Sequence, residues 1–133
     1  MTPEPVLSPE SVLSQAARWY VRSGIQEPSG GVARYYRTDL ERNHPISTEI
    51  TGYAISALLD LGQQAEAFSA ARFLCREAWN GCRIPFELEP SEVCLFTYFF
   101  DCGIIVRGLL AAWRASRVRD VTLGIRVATV KRG

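Results

Sequence analysis

At 133 residues the chain is the size of one domain, for which about 100 to 200 residues is usual, and its 47% apolar content is enough to build a core. Fifteen Lys plus Arg against fourteen Asp plus Glu leave a net charge of +1, with no basic block to follow a phosphate backbone, which argues against nucleic acid as a partner. No cationic region leads into a long apolar run at the N-terminus, and no stretch of about 18 apolar residues occurs, so the expectation is a soluble, cytoplasmic protein that does not engage a membrane.

Ser8, Pro9 and Glu10 form a helix-start signal, because proline at the first helical position loses no needed donor and an early acid suits the helix dipole. The first predicted helix runs from about Pro9 to Ser23, with Val12, Leu13, Ala16, Ala17, Tyr20 and Val21 on a stripe meant for burial and Gly24 ending it. From Ile25 to Pro45 the periodicity breaks into a long loop, with a short extended piece expected at "VARYY". Ser47 or Thr48 then caps a second helix reaching Leu61 before Gly62. Its apolar residues Ile50, Ala54, Ile55, Leu58, Leu59 and Leu61 cover so much of the circumference that it reads as an inner helix.

A third helix is expected from Gln64 to Trp79, closed by Gly81, followed by the proline-containing loop "CRIPFELEPSEVCLFTYF". The fourth, from about Asp101 to Ser116, is nearly continuous in apolar residues except for Arg107, and reads as a second inner helix. Arg107, buried on that pattern, then needs an anionic partner, structural or substrate. Cys75, Cys82, Cys94 and Cys102 make no CxxC pair, so buried free thiols are expected rather than a metal site. Gly30 and Gly31 stand alone in a polar loop, so no phosphate-cradling motif is visible and no cofactor is expected.

The chain repeats itself. "AARWYVR" (16–22) lies over "AARFLCR" (70–76) at an offset of 54, and "GYAISALLDL" (52–61) over "GIIVRGLLAA" (103–112) at an offset of 51. One domain over 1–133 is therefore divided into a first repeat of about 9–62, a second of about 63–116, and a remainder, 117–133, that is either the start of a third repeat or a loose tail. Arg126, 54 residues beyond Arg72, supports a helix there, whereas the alternation of Val121, Leu123, Ile125 and Val127 suits a strand. The fold class is all-α, built of antiparallel helical hairpins. An inner helix apolar almost all round needs neighbours to cover it, so either the chain forms a compact four- to five-helix bundle or it is a piece of a longer solenoid or ring.

"GIQEPSGG" after an outer helix, "STEITGYAISALLDLG" as an inner helix and "YFFDCGIIVRGLLAAWRAS" as the next together resemble consecutive hairpins of the α/α-toroid proteins. That superfamily includes six-hairpin glycosidases, N-acylglucosamine 2-epimerase-like enzymes and the terpene cyclase and prenyltransferase β-subunit group. The resemblance covers about residues 10 to 116 and implies a partial toroid, less than half of a ring of about six hairpins. It also implies a substrate cleft where the inner helices begin, at a rim built here from Arg34 to Thr51 and from Phe86 to Asp101. The chain lacks the Asp-x-Asp-Asp run of the terpene cyclases and an Asp, Cys and His set like the prenyltransferase zinc ligands, which leaves the sugar-processing branch.

On that reading Glu49 and Asp101, at matching starts of the two inner helices, form a carboxylate pair for acid–base work on a glycoside. Each has a structural alternative, Glu49 as a helix-start acid and Asp101 as an N-cap. Tyr53, one helical turn after Glu49, shares its face; Tyr35 and Tyr36 offer rings to stack on a sugar, or to pack in the core. His44, the single histidine, is a candidate proton shuttle. The expected function is a fragment of a carbohydrate-active, glycoside-processing or sugar-epimerase-like protein. The competing reading is a non-catalytic helical-repeat module that binds a protein partner, or self-associates, through an uncovered inner-helix face.

Overall fold

The computed structural model describes residues 8–88 and 96–118. The described chain is mostly helical with one small two-stranded sheet. It comprises α1 (Pro9–Arg22), β1 (Tyr36–Arg37), β2 (Arg42–Asn43), α2 (Thr48–Asp60), α3 (Gln64–Phe73) with an added π turn (Leu74–Ala78), and α4 (Phe99–Val118). None of these helices is long and apolar enough to cross a membrane. Cys94 and residues 119–133 lie outside the described residues; the latter are most of the remainder 117–133, expected as either the start of a third repeat or a loose tail, of which Arg117 and Val118 instead end α4.

Ser8 caps α1 through its Oγ, which accepts the Ser11 amide at 3.2 Å. The burial expected for this helix is met at Ala17 and partly at Tyr20, which packs on the core. Val12, Leu13, Trp19 and Val21 stay exposed, and between α1 and the end of α2 lies a hollow of about 490 Å3 lined by Leu13, Ala17, Val21, Asp60 and Leu61.

The segment expected as a long loop is more ordered than its composition suggests, and the short extended piece expected at "VARYY" is met in part, by bridges at Val32 and Ala33 and by Tyr36 in β1. β1 and β2 pair antiparallel with Tyr36 opposite Asn43, joined by a turn in which Glu41 takes φ 48°. Before them, the turn at Gly30 presses on the Ser69 backbone of α3, which leaves no room for a Cβ. Gln26 Nε2 ties the same turn to α3 by donating to the Glu66 carbonyl at 3.0 Å.

Ser47 is the cap of α2, accepting the Ile50 amide at 3.3 Å, and Gly62 ends that helix region with φ 73°. Thr51 is wholly buried; its Oγ1 donates to the Ser47 carbonyl at 2.7 Å and accepts the Val32 amide at 2.9 Å, so it staples the incoming loop to the helix. The α-helical pattern expected through Trp79 stops at Phe73, where the widened turn Leu74–Ala78 takes over.

Helices α2 and α4 form the central pair. A Cβ on Gly52 would sit 3.0 Å from the Ile105 Cα, and one on Gly108 would collide with the Gly52 carbonyl, so the two backbones cross closely at this point. Around them Ile55, Leu58, Leu74 and Ile105 are fully buried, with Ala67, Ala70, Ala71 and Phe73 of α3 closing the core. The face that α4 buries carries Asp101, Ile105, Gly108 and Ala112. Arg107 lies off that face and is exposed, so the buried position and the anionic partner expected for it are both corrected. A nearly continuous apolar run had concealed which side of the helix faces inward.

Candidate functional site

Four extended pieces gather over the N-terminal ends of α2 and α4. Ala33 bridges Ile46, Ser47 bridges Glu87, and the Phe86 amide donates to the Phe96 carbonyl at 3.1 Å. Thr48 fastens this mat to the first turn of α2, its amide donating to the Phe86 carbonyl at 3.0 Å and its Oγ1 to the Pro85 carbonyl at 2.8 Å. Residues distant in sequence are thereby fixed side by side.

The polar centre of the mat is Glu87. Its Oε1 lies 3.6 Å from Arg34 Nη1 and 3.8 Å from His44 Nδ1, and its side chain is only 11% exposed. The Arg34 guanidinium lies over the Phe86 ring at 5.6 Å, and Phe86 meets Tyr98 edge-on at 5.5 Å. His44 stacks on Tyr35 with ring centroids 4.5 Å apart, and its amide donates to the Tyr35 carbonyl at 2.8 Å. Its Nδ1 is buried without a hydrogen bond among the described residues, turned toward Glu87.

Asp101 completes the group. It stands third in α4 rather than at the cap expected for it, because the helix begins two residues earlier at Phe99. The side chain is buried, and that desolvation raises its pKa above the ordinary aspartate value, with the positive charge of Arg34 pulling partly the other way. Arg34 is thus the common neighbour of two carboxyl groups, acting on Asp101 through its charge and lying 3.6 Å from Glu87 Oε1; a carboxyl shifted toward its protonated form meets one requirement of a general acid.

The remaining sequence candidates fall elsewhere. Glu49 is half-buried at the second position of α2, and among the described residues it makes no ion pair or side-chain hydrogen bond with the cluster. Tyr53 is exposed on α2, and Tyr36 is exposed on β1. Tyr35, His44 and Asp101 are thus brought to one area, whereas Glu49, Tyr36, Tyr53 and Arg107 are not part of the contacts that build it. Sequence reasoning missed Glu87. The available signal was an acid set between Phe86 and Leu88 just after Pro85, where a charge inside an apolar stretch calls for a partner.

Beside His44 opens a hollow of about 390 Å3, lined by Glu27, Ser29, Asn43, His44, Ile46 and Leu88, a size within the roughly 300 to 1,000 Å3 of small-molecule sites. Asn43 stiffens its wall, its Nδ2 donating to Glu27 Oε1 at 2.6 Å and to the Gly24 carbonyl at 2.8 Å. Among the described residues no three His, Cys, Asp or Glu side chains are grouped to hold a metal ion. Comparison with protein-family models, with curated proteins and with solved structures returned no match.

Proposed function

We propose that the chain is a carbohydrate-binding helical-hairpin protein of the α/α-toroid type, with its sugar site at the rim over the first turns of α2 and α4. Asp101 serves as proton donor there, and Glu87, held by Arg34 and His44, as the accompanying carboxylate. One arrangement carries the reading: a desolvated aspartic acid, an Arg–Glu–His chain and the rings of Tyr35, Phe86 and Tyr98 at the same end of two adjacent helices. Carboxylates and a guanidinium match sugar hydroxyls in hydrogen bonding, and the aromatic rings match the apolar faces of a pyranose. The pairing of Asp101 with Glu87 replaces the pairing with Glu49 that helix starts alone suggest.

Saturation-transfer NMR on the full chain tests this, using a panel of neutral mono- and oligosaccharides. At least one should give signal enhancements that disappear in Tyr35→Ala and weaken in Glu87→Gln. Asp101→Asn should keep the binding signal, because that residue is assigned the proton transfer. A panel without any enhancement sinks the proposal.

A further inference from the structure

A second surface lies on the side of α4 turned away from α2. Phe99 is 96% exposed, Val106 54%, Leu110 46% and Trp113 39%, and a Cβ added to Gly103 between them would meet nothing within 4 Å. These residues alternate four and three apart, which is the spacing of a helix–helix seam, over a length of about 21 Å. Arg107 and Arg114 run along one edge of the seam, and Arg117 covers its end with the guanidinium 4.8 Å from the Trp113 ring. None of the three makes a salt bridge among the described residues, and the one acid of α4, Asp101, is buried on the other side.

The internal repeat says what kind of object covers such a seam. Gly52 and Ile55 are the residues by which α2 meets α4, next to Ile105 and Gly108. At the repeat offset of 51 they correspond to Gly103 and Val106, which α4 presents to solvent. The same pairing face therefore occurs twice, once occupied by a helix and once without a covering helix among the described residues. We propose that the outer face of α4 is a docking site for an amphipathic helix of a different protein, one carrying small and branched apolar residues along its seam and glutamate or aspartate along the edge that meets Arg107 and Arg114.

The arginines decide between this occupant and a second copy of the chain. Two α4 helices pairing antiparallel about Val106 would set Arg107 against its own counterpart, and like charges so placed oppose association. An acidic helix turns the same edge into a favourable one.

The test uses the full chain and two labelled helical peptides that share the Ile-x-x-Gly-x-x-x-Ala spacing of the buried α4 face, one flanked by glutamates and one by lysines. Fluorescence anisotropy should show the glutamate peptide binding at least about tenfold more tightly, with the difference shrinking as salt rises. Leu110→Glu should remove binding, and a double Arg107→Glu, Arg114→Glu variant should reverse the preference. These positions are exposed, and unchanged circular dichroism will establish that the variants fold. Equal affinity for the two peptides, or binding indifferent to Leu110→Glu, overturns the proposal. So does a concentration-dependent dimer in sedimentation that Leu110→Glu abolishes, since the chain itself would then be the occupant.

Discussion

Gly108 of α4 lies directly on the carbonyl of Gly52 in α2, and this contact sets how closely the two central helices approach. A methyl group at Gly108 has no direction in which to move, because the obstacle is backbone. Gly108→Ala should therefore destabilise the protein by about 1 to 3 kcal/mol despite the better helix propensity of alanine. Gly103, five residues earlier on the open side of the same helix, supplies the control. Gly103→Ala meets nothing and should stabilise by about 0.5 to 1 kcal/mol. Urea denaturation of both variants checks the pair, and effects of equal sign would contradict the crossing described above.

Thr51 joins α2 to the segment that carries Val32 and, two residues on, Arg34. Replacing it with valine preserves shape but leaves the buried Val32 amide without an acceptor, at a cost of about 1 to 3 kcal/mol. Thr51→Ser keeps the hydroxyl and loses one methyl group, worth about 0.8 kcal/mol. Chemical denaturation should rank wild type above Thr51→Ser, and Thr51→Ser above Thr51→Val. If the serine variant proved the weaker one, the hydroxyl would not be the fastening.

The caps and stops of the helices were written in the sequence because they act locally. Ser8, Pro9, Ser47 and Gly62 each need only their own neighbours to do their work. The β1–β2 hairpin was only partly legible: "VARYY" reads as a short extended piece, and Val32 and Ala33 do make bridges and Tyr36 does open β1, but the partner strand Arg42–Asn43 carries no branched apolar residue to announce the pairing. Burial direction was equally hidden in α4, whose apolar residues occupy both the face against α2 and the open seam. The candidate site was half legible. Tyr35, His44 and Asp101 stood out by residue type, but Glu87 reaches Arg34 and His44 only because the backbone pairs Ser47 with Glu87, a long-range event that no local pattern announces.

Tyr20 places its hydroxyl in the interior without a hydrogen bond among the described residues, and this burial pushes its pKa up to about 12. The folded state thus holds the phenol proton more firmly than the unfolded chain, whose tyrosine ionises near pH 10. Stability from this preference is intact below pH 10 and is lost as pH rises toward 12. Tyr20→Phe should flatten that decline relative to wild type. At neutral pH it should also gain about 0.5 to 1 kcal/mol by removing an unpaired polar group. Parallel thermal melts from pH 7 to 11 would reveal both effects.

Asp101 gives the sharpest separation between structural and chemical roles, because the same burial that would suit the proton transfer proposed for it works against the charged form in the folded state. Its pKa is raised by desolvation, partly offset by Arg34, so the native protein binds the proton more tightly than the unfolded chain does. The associated stability is fully present below the ordinary aspartate pKa, near 4 in unfolded chains, and is lost as pH rises through the folded-state value. Asp101→Asn keeps the shape and removes the charge. It should therefore leave stability at pH 3 nearly unchanged, raise it at pH 7, and make the curve between them flatter than that of wild type. Denaturation midpoints at closely spaced pH values measure this directly. A fall in stability at pH 7 would mean that attraction to Arg34 outweighs desolvation, and a carboxylate so held would be a poor proton donor. Stabilisation at pH 7, together with the carbohydrate binding proposed for the chain being found and kept in the variant, is the combination expected of a residue kept for its proton rather than for the fold.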